Sequence, residues 1–288
     1  MNLNKPNYQG NNLLTIQKYL DETKDKFENS SIKSARLDSL LILEHVCNKP
    51  RSWLLAHQDQ QISAANAKQL HDLVSRRLLR EPVAYIVGHC EFFGLELNAS
   101  SSTLIPRPET EDLVAAVIAE SPHNADLLEV GTGSGAIALA VRTNRPDIQI
   151  VATDSSVEAI KIAKTNAANH SIDDIEFKIS NLMDDIDGLY DVIVANLPYL
   201  DESSFSHHYE ISFEPKTALY STDGGLSHYK RLIEQISAKD QLTDGGIAII
   251  ELEPSQRDSL IRFAVEHGFT EIKKTSFNKF TLLLKYNK

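Results

Sequence analysis

From Ala125 to His267, short apolar runs alternate with segments of helical periodicity. The alternation predicts strands at 126–130, 148–153, 175–179, 191–195 and 246–252, and helices at 136–141, 156–168, 226–237 and 255–267. A closing pair of strands is predicted between residues 271 and 286, with a turn near Asn278. Strands that alternate with helices favour an α/β fold with a parallel, doubly wound sheet, in which ligands bind at the carboxyl ends of the strands.

The first 80 residues follow a helical pattern instead. Within 35–46, apolar side chains recur at three- and four-residue spacing, so we expect a buried stripe through Leu37, Leu40 and Leu41. Residues 63–79 repeat this spacing, with Ser63 as the expected N-cap. Because amphipathic helices bury their apolar stripes against one another, these segments predict a small helical bundle.

Pro82 interrupts the helical pattern. The loose alternation from Val83 to Asn98, with its glycines, predicts a β-hairpin. We therefore expect a helical substrate-recognition domain over 1–81, a hairpin linker over 82–105 and a catalytic domain over 106–288.

Cysteine content and hydropathy exclude several classes of protein. The chain has only two cysteines and no Cys-x-x-Cys pair, which excludes a disulfide framework and a zinc knuckle and fits a reducing compartment. The first residues lack the apolar core of a secretory signal, and no apolar run approaches about 18 residues. We expect a cytoplasmic protein with no membrane partner and no bound metal.

The net charge of −11 is unevenly distributed. Residues 1–80 contain 12 Lys and Arg against 8 Asp and Glu, whereas the remainder contains 17 against 32. A body with a net charge of −15 repels a phosphate backbone, so we expect no direct nucleic acid partner.

A glycine-rich loop follows the first predicted strand of the α/β region. Gly131-Thr132-Gly133-Ser134-Gly135 joins this strand to a helix, so its backbone N–H groups can approach a ligand closely. The G-x-G-x-G spacing differs from the dinucleotide pattern G-x-G-x-x-G, and no Walker lysine follows it. Asp154, at the end of the next strand, can bind ribose hydroxyls, and Glu129 adds a second carboxylate. Two acids and a short loop favour S-adenosylmethionine, a cationic nucleoside without phosphate, over a nicotinamide dinucleotide.

The fourth predicted strand runs directly into Asn196-Leu197-Pro198-Tyr199. Pro198 favours an extended Leu197, so that Asn196 Oδ1 and the Leu197 carbonyl group can both accept hydrogen bonds from one planar NH₂ group. Tyr199 offers a flat face to the same group. Holding both N–H bonds stabilises the charge that develops on a weakly nucleophilic amide nitrogen as it attacks a sulfonium methyl group. Asn196 and Tyr199 are thus the expected catalytic residues. A glutamine amide and adenine N6 both satisfy this chemistry, and the motif alone does not choose between them.

Longer motifs extend across most of the chain. With the glycine loop and the Asn196 motif, these segments make the sequence resemble the HemK/PrmC family of protein-(glutamine-N5) methyltransferases. The segments are Ala35–Val46, Arg80–Ile86, Glu91–Gly94, Leu104–Glu111 and Phe213–Leu219. The resemblance implies a Rossmann-like class I S-adenosylmethionine-dependent methyltransferase core that follows an N-terminal helical bundle and a hairpin linker. It also implies that the substrate is the glutamine in the Gly-Gly-Gln loop of peptide-chain release factors. We expect a monomer.

The resemblance also assigns roles to single residues. Gly131 to Gly135 would contact the methionyl part of the cofactor and Asp154 its ribose, whereas Asn181 and Leu182 would flank its adenine. The segment from Asn196 to Tyr199 (Asn196, Leu197, Pro198 and Tyr199) would bind the substrate glutamine, and Asn196 would also touch the cofactor.

Two positions depart from the family pattern. The family usually has Asn-Pro-Pro-Tyr, but Leu197 replaces the first proline, which predicts a looser loop. At Ser180-Asn181-Leu182 the family usually carries an Asp and often an aromatic residue, so Leu182 offers less stacking surface.

Two other functions stay open. Asn-Leu-Pro-Tyr also occurs in ribosomal RNA adenine dimethyltransferases, which makes an N6-adenine methyltransferase acting on RNA or DNA the alternative, although those enzymes place their small helical domain after the core. A non-enzymatic cofactor-binding module would need only the glycine loop and leaves the Asn196 motif unexplained. Among the remaining candidates, Arg107 and Glu109 could shape the cofactor entrance, and His207-His208 could gate the substrate.

Overall fold

A computed structural model describes residues 14–201, 209–273 and 276–288 of the chain. The described chain separates into two compact units, with the division between Val87 and Gly88. The domain boundaries expected from the sequence, after residues 81 and 105, stay a prediction.

The described part of the first unit, residues 14–87, contains five helices, as the helical periodicity predicts. They are α1 (Ile16–Asn29), α2 (Ala35–Cys47), α3 (Arg51–Ala56), α4 (Ala64–Leu78) and α5 (Val83–Val87). The Ser63 side chain accepts a 3.2 Å hydrogen bond from the Asn66 N–H, which confirms it as the N-cap of α4.

The buried stripe of α2 differs from the expected one. Leu37 is 46% exposed, whereas Asp38, the next residue, is 1% exposed. Asp38 Oδ2 accepts a 2.6 Å hydrogen bond from Arg77 Nε on α4. A buried ion pair with this geometry compensates the desolvation of both charges, so the helix turns Asp38 inward and leaves Leu37 in solvent.

The expected hairpin over Val83–Asn98 is correct only in its second part. Pro82 precedes α5, and its carbonyl oxygen accepts hydrogen bonds from the N–H groups of Tyr85 and Ile86. Proline is favoured at the start of a helix because its missing N–H would have no partner there, so Pro82 ends one helix and begins the next. The hairpin itself consists of β1 (His89–Phe92) and β2 (Leu95–Asn98), joined by a two-residue turn.

The second unit is built on a seven-stranded sheet. Its strands are β3 (Asp126–Val130), β4 (Gln149–Asp154), β5 (Ile175–Ile179), β6 (Tyr190–Ala195), β7 (Leu242–Glu251), β8 (Phe269–Ile272) and β9 (Thr281–Tyr286). The order across the sheet is β5-β4-β3-β6-β7-β9-β8, parallel from β5 to β7, with β9 antiparallel to both of its neighbours. This arrangement confirms the predicted doubly wound α/β fold and its closing pair of strands.

Helices cover both faces of this sheet. They are α6 (Pro108–Glu120), α7 (Ala136–Asn144), α8 (Val157–Asn169), the single turns α9 (Lys216–Leu219) and α10 (Thr222–Gly225), α11 (Ser227–Lys239) and α12 (Arg257–Val265). Alternate strand residues face opposite sides. Leu127 packs in a cluster with α6 and α7, and Leu128 in a cluster with α11 and α12. Burial on both faces explains the nearly continuous apolar runs that predict the strands.

The strand order reverses between β3 and β6, because the chain runs outward through β4 and β5 before it returns. Val130 pairs with Ala195 across this point, and Ala195 pairs with Ile250 of β7. The residues that follow these positions therefore meet at one edge of the sheet, where open α/β folds bind ligands. Within the described ranges, no helix has the length and hydropathy needed to cross a bilayer.

Candidate active site

The glycine loop between β3 and α7 lies at this edge. Gly131, Gly133 and Gly135 all have positive φ angles, of 80°, 56° and 82°, which favour glycine. The N–H groups of Gly131 and Thr132 each donate a 2.8 Å hydrogen bond to the Thr153 carbonyl oxygen at the end of β4. These two hydrogen bonds attach the loop to the neighbouring strand.

Two of these glycines also permit close contacts. A Cβ atom on Gly131 would lie 2.8 Å from Leu197 Cδ2, so the loop can approach the Asn196 motif only without a side chain. A Cβ atom on Gly135 would lie 3.1 Å from Ala163 Cβ on α8. Gly135 therefore serves helix packing, and it does not line either of the cavities described below.

The two carboxylates beside the loop are both desolvated. Burial raises the pKa of Asp154, although its oxygens accept hydrogen bonds from the N–H groups of Gly133 at 2.9 Å and Ser156 at 2.8 Å. Burial raises the pKa of Glu129 to about 8. Glu129 Oε2 accepts from Thr132 Oγ1 at 2.7 Å, but Oε1 has no hydrogen-bond partner among the described residues. The unpartnered oxygen leaves a position for a hydrogen-bonding group of a ligand, and a cationic ligand would favour the ionised form of Glu129.

The motif that begins at Asn196 continues from the end of β6. The Leu197 N–H donates a 2.9 Å hydrogen bond to the Tyr229 hydroxyl group, which in turn donates to the Glu251 carbonyl oxygen. Proline at position 197 would have no N–H to donate. Instead of the looser loop expected from the loss of proline, the structure shows a backbone tied to α11 and β7 through Tyr229.

We expect Tyr229→Phe to lower the free energy of unfolding by about 1–3 kcal/mol, because it leaves the buried Leu197 N–H without a partner. Urea unfolding measures this loss. Tyr190→Phe is the matched control, since it removes a buried tyrosine hydroxyl bonded to the Asp187 carbonyl oxygen at the other end of β6. Only Tyr229→Phe should also lower kcat, and equal kcat values for the two variants would refute this role.

Asn196 and Tyr199 each form a hydrogen bond with a side chain of another element. Asn196 Nδ2 donates a 3.1 Å hydrogen bond to Thr110 Oγ1 on α6. Tyr199 donates a 3.4 Å hydrogen bond to Glu251 Oε1 at the end of β7. Burial raises the pKa of Tyr199 well above its ordinary value, so the phenol is protonated and donates. Sequence reasoning missed Thr110 and Glu251 as members of this site.

Two cavities meet at the motif. The first, of about 320 Å³, is lined by Gly131, Thr132, Gly133, Ser134, Asp154, Asn181, Leu182 and Pro198, together with Glu129 and His228. The second, of about 230 Å³, is lined by Arg107, Glu109, Tyr199 and Glu251. Leu104, Asn196, Leu197 and Ala218 line both. Asn196 and Leu197 therefore form part of a wall that the two cavities share.

Most sequence-predicted site residues thus come together. Arg107 and Glu109 line the second cavity and not the cofactor entrance. His228 was missed, because no motif signals a lining residue on a helix so far along the chain. The His207-His208 pair lies outside the described residues.

An ion pair between the half-buried Arg107 and the buried Glu214 joins two segments that line the cavities. Arg107 donates to Glu214, which is 4% exposed and also accepts a 3.1 Å hydrogen bond from the Ile105 N–H. These contacts join 104–107 to the segment that contains Glu214 and supplies Pro215, Thr217 and Ala218 to the first cavity. Two of the family segments, Leu104–Glu111 and Phe213–Leu219, are therefore joined directly by these contacts.

The charged side chains that line the first cavity suit S-adenosylmethionine. Among the described residues its lining includes Glu129, Asp154 and Glu158 but no lysine or arginine, so it has no side-chain cation for a pyrophosphate and has carboxylates for a cationic nucleoside. No described group of His, Cys, Asp or Glu side chains is arranged to hold a metal ion. The sheet order and the acid-lined cavity at its reversal point define a class I S-adenosylmethionine-dependent methyltransferase.

Comparison with known proteins identifies the family. The chain is 34% identical over 264 residues to the release factor glutamine methyltransferase of Aliivibrio fischeri, covering 90% of this chain and 92% of that protein. It is 38% identical over 243 residues to the Coxiella burnetii protein of the same name, covering 83% and 87%. The chain belongs to the release factor glutamine methyltransferase family.

Two family models match the two parts of the chain, and a solved structure shares the fold of its core. The model of the PrmC N-terminal domain matches residues 18–88, and that of the methyltransferase small domain matches 109–219. A methyltransferase from Pyrococcus furiosus superposes with a TM-score of 0.52 at 18% identity, covering 74% of this chain and 98% of that one. This likeness shows the fold of the core.

Proposed function

We propose that the protein transfers a methyl group from S-adenosylmethionine to the side-chain amide nitrogen of the glutamine in the Gly-Gly-Gln motif of peptide-chain release factors. The observation that carries this proposal is the wall of Asn196 and Leu197 between the two cavities. A donor in the first cavity and a side-chain amide in the second would meet at that wall. The names of the relatives support a release factor as the substrate.

The residues of the wall act on the acceptor amide. S-adenosylmethionine would supply an electrophilic methyl carbon and leave as S-adenosylhomocysteine when its C–S bond breaks, and the methylated amide would then lose one proton. An amide nitrogen is a weak nucleophile, because its lone pair is delocalised into the carbonyl group. Asn196 Oδ1 and the Leu197 carbonyl oxygen would each accept one N–H hydrogen, which orients the nitrogen and stabilises the positive charge that develops on it. The Tyr199 ring, in the second cavity, would pack against the planar amide.

Other residues of the first cavity would hold the cofactor. Asp154 would accept hydrogen bonds from the ribose hydroxyls, and Asn181 and Leu182 would flank the adenine. Leu182 has a positive φ of 55°, so the turn after β5 holds it in a conformation that side chains rarely adopt.

We expect Asp154→Asn to raise the Kd for S-adenosylmethionine about 10- to 100-fold. The neutral amide accepts weaker hydrogen bonds than the carboxylate, and its NH₂ group would face the N–H of Gly133 or Ser156. Titration calorimetry measures the Kd. The exposed Asp173→Asn is the control. At saturating cofactor, kcat should stay within about threefold of wild type, and a large fall in kcat with an unchanged Kd would contradict the role of Asp154.

The test of function uses radiolabelled S-adenosylmethionine and purified release factor. We expect label on the wild-type release factor and none on a variant whose Gly-Gly-Gln glutamine is replaced by alanine. Label that persists on the variant would disprove the glutamine as acceptor. Ribosomal RNA and DNA in parallel reactions test the alternative of N6-adenine methylation, and label there instead of on the protein would establish it. Cofactor binding without transfer to any of them would indicate a binding module.

We further propose that the enzyme is a cytoplasmic monomer that binds no nucleic acid directly, and that its helical unit recognises the release factor. The net charge of −15 beyond residue 80 supports the exclusion of nucleic acid, and the +4 charge of the first 80 residues supports a separate recognition surface. Sedimentation velocity tests the monomer, and binding of the release factor to residues 88–288 alone would contradict the recognition role.

A further inference from the structure

The lining of the first cavity has a single aromatic ring among the residues that the structure describes. The ring belongs to His228, in the first turn of α11, and no phenylalanine, tyrosine or tryptophan within the described ranges lines this cavity. Leu182, which the proposed function places beside the adenine, has a branched aliphatic side chain. An adenine base presents two planar faces, and aromatic side chains bind such faces by stacking. The His228 ring is therefore the candidate contact for the base.

The face of α11 that carries His228 runs along the turn that follows β5. His228, Arg231 and Gln235 lie at spacings of three and four residues, which puts them on one face of the helix. Arg231 Nη2 and Gln235 Nε2 each donate a 2.5 Å hydrogen bond to one carboxylate oxygen of Asp184. Asp184 follows Leu182 by two residues in that turn, and Leu182 lines the same cavity as His228. His228 thus begins the helix face that packs beside the turn where the adenine would lie.

A buried serine holds the His228 ring in place. The ring Nδ1 lies 2.8 Å from Ser221 Oγ, and Ser221 is only 5% exposed. Ser221 Oγ also lies 2.8 Å from Ser227 Oγ, and the Ser221 N–H donates a 2.9 Å hydrogen bond to the Leu200 carbonyl oxygen. These contacts restrict the rotation of the ring, so a base that packs on it would immobilise little additional motion.

The charge state of His228 is compatible with a cationic ligand. Burial is the larger of two causes that lower the pKa of His228 below its ordinary value, and the positive charge of Arg231 is the other. The ring is therefore neutral at pH 7. A neutral ring does not repel the sulfonium and ammonium groups of the cofactor that shares its cavity.

We propose that the His228 imidazole ring packs against the adenine of S-adenosylmethionine and supplies the planar contact that Leu182 cannot. Leu182 would border the base from the turn after β5, and His228 would cover it from α11. The proposal rests on the placement of the cofactor in the proposed function and does not depend on the identity of the methyl acceptor. S-adenosylhomocysteine carries the same adenine, so its binding alone tests the contact.

Three variants of His228 distinguish a planar contact from other contacts, with the Kd for S-adenosylhomocysteine measured by titration calorimetry. His228→Phe keeps a flat ring and should leave the Kd within about threefold of wild type. His228→Ala removes the ring, and His228→Leu fills the space without a plane. Both should raise the Kd about 5- to 100-fold, the range for loss of a stacked base.

The three variants can also overturn the proposal. A wild-type Kd in His228→Ala would show that the ring does not contact the base. A wild-type Kd in His228→Leu would show that the site needs only an apolar side chain of this size. A Kd raised as much in His228→Phe as in His228→Ala would show that a ring nitrogen, and not the flat face, binds the cofactor.

His267→Ala is the matched control. His267 is half-buried just after α12, its Nδ1 lies 2.9 Å from the Phe263 carbonyl oxygen, and it lines neither of the two cavities. The same change is therefore made at a histidine that is also held by one oxygen atom. Its Kd should equal that of wild type, and equal losses in His228→Ala and His267→Ala would contradict a specific contact.

A measurement on the wild-type protein does not depend on how well the variants fold. The ring C–H proton signals of His228, assigned through their connection to the main chain, should move upfield when S-adenosylhomocysteine binds, because protons that lie over the face of an aromatic π-system are shielded. The signals of His267 should stay in place. His228 signals that stay in place or move downfield would overturn the contact.

These measurements separate the contact from the proposed function. If the protein binds S-adenosylhomocysteine with this pattern but methylates no release factor, the proposed acceptor is wrong and the role of His228 stands. If the release factor is methylated but the pattern is missing, the proposed function stands and the role of His228 is wrong.

Discussion

Asn196→Ala should lower kcat about 10²- to 10³-fold, whereas the Kd for S-adenosylmethionine should change less than about tenfold. The alanine removes one of the two acceptors for the substrate N–H groups, and that contact strengthens as charge develops on the nitrogen. Asn196 also lines the cofactor cavity, which accounts for a small change in affinity. Steady-state kinetics with labelled cofactor and release factor give kcat, and titration calorimetry gives the Kd.

The exposed Asn144 at the end of α7 offers a control, since its Nδ2 donates to the Ala140 carbonyl oxygen and to no other described residue. Asn144→Ala should keep the kcat of wild type. If Asn196→Ala weakens cofactor binding as much as it slows turnover, Asn196 contributes to binding of the cofactor and not specifically to the transition state, and the proposed role in transfer is wrong.

At pH 8 the free energy of unfolding of the ligand-free Glu129→Gln variant should exceed that of wild type. This difference should vanish near pH 4.5. Burial raises the pKa of Glu129 from 4.5 to about 8 in the folded protein. Between these values the unfolded chain has lost this proton and the folded one keeps it, so the wild-type free energy of unfolding falls as pH rises. The shift corresponds to a loss on the order of 4–5 kcal/mol by pH 8.

Urea unfolding of wild type and Glu129→Gln at pH 5, 6, 7 and 8 measures this difference, and Glu176→Gln, an exposed position on β5, is the control. A difference that does not grow with pH would show that Glu129 is not held protonated. In wild type, S-adenosylmethionine should bind more tightly as pH rises, since a cation favours the ionised carboxylate. The affinity of Glu129→Gln for S-adenosylmethionine should lack this rise with pH, because residue 129 no longer titrates.

The sheet was predictable because its strands are buried on both faces. The run 191–195 is apolar after Asp191 and the run 126–130 is apolar at three of five positions, and the glycine loop and Asn196 mark where these two runs end. A parallel sheet brings those ends to one edge, so the sequence could also predict that Gly131, Asp154 and Asn196 lie together. All three line the first cavity.

The sequence could not reveal contacts that depend on pairing between distant elements. Asp38 is buried because of Arg77, 39 residues further on, and no local pattern indicates that pair. Glu251 comes to the same cavity as Asn196 through the register of β6 and β7, so its place in the site appears only once that register is known. The tie from Leu197 to Tyr229 likewise joins residues 32 apart, and it overturned the expectation of a loose loop.

The central claim is that Asn196 Oδ1 and the Leu197 carbonyl oxygen hold the acceptor amide beside the methyl donor. A crystal structure of the protein with S-adenosylhomocysteine and a Gly-Gly-Gln peptide tests it most directly. We predict a glutamine side-chain nitrogen about 3 Å from both oxygens and directed at the cofactor sulfur. A glutamine side chain bound outside the second cavity, or an Asn196 that presents Nδ2 to it, would contradict the account.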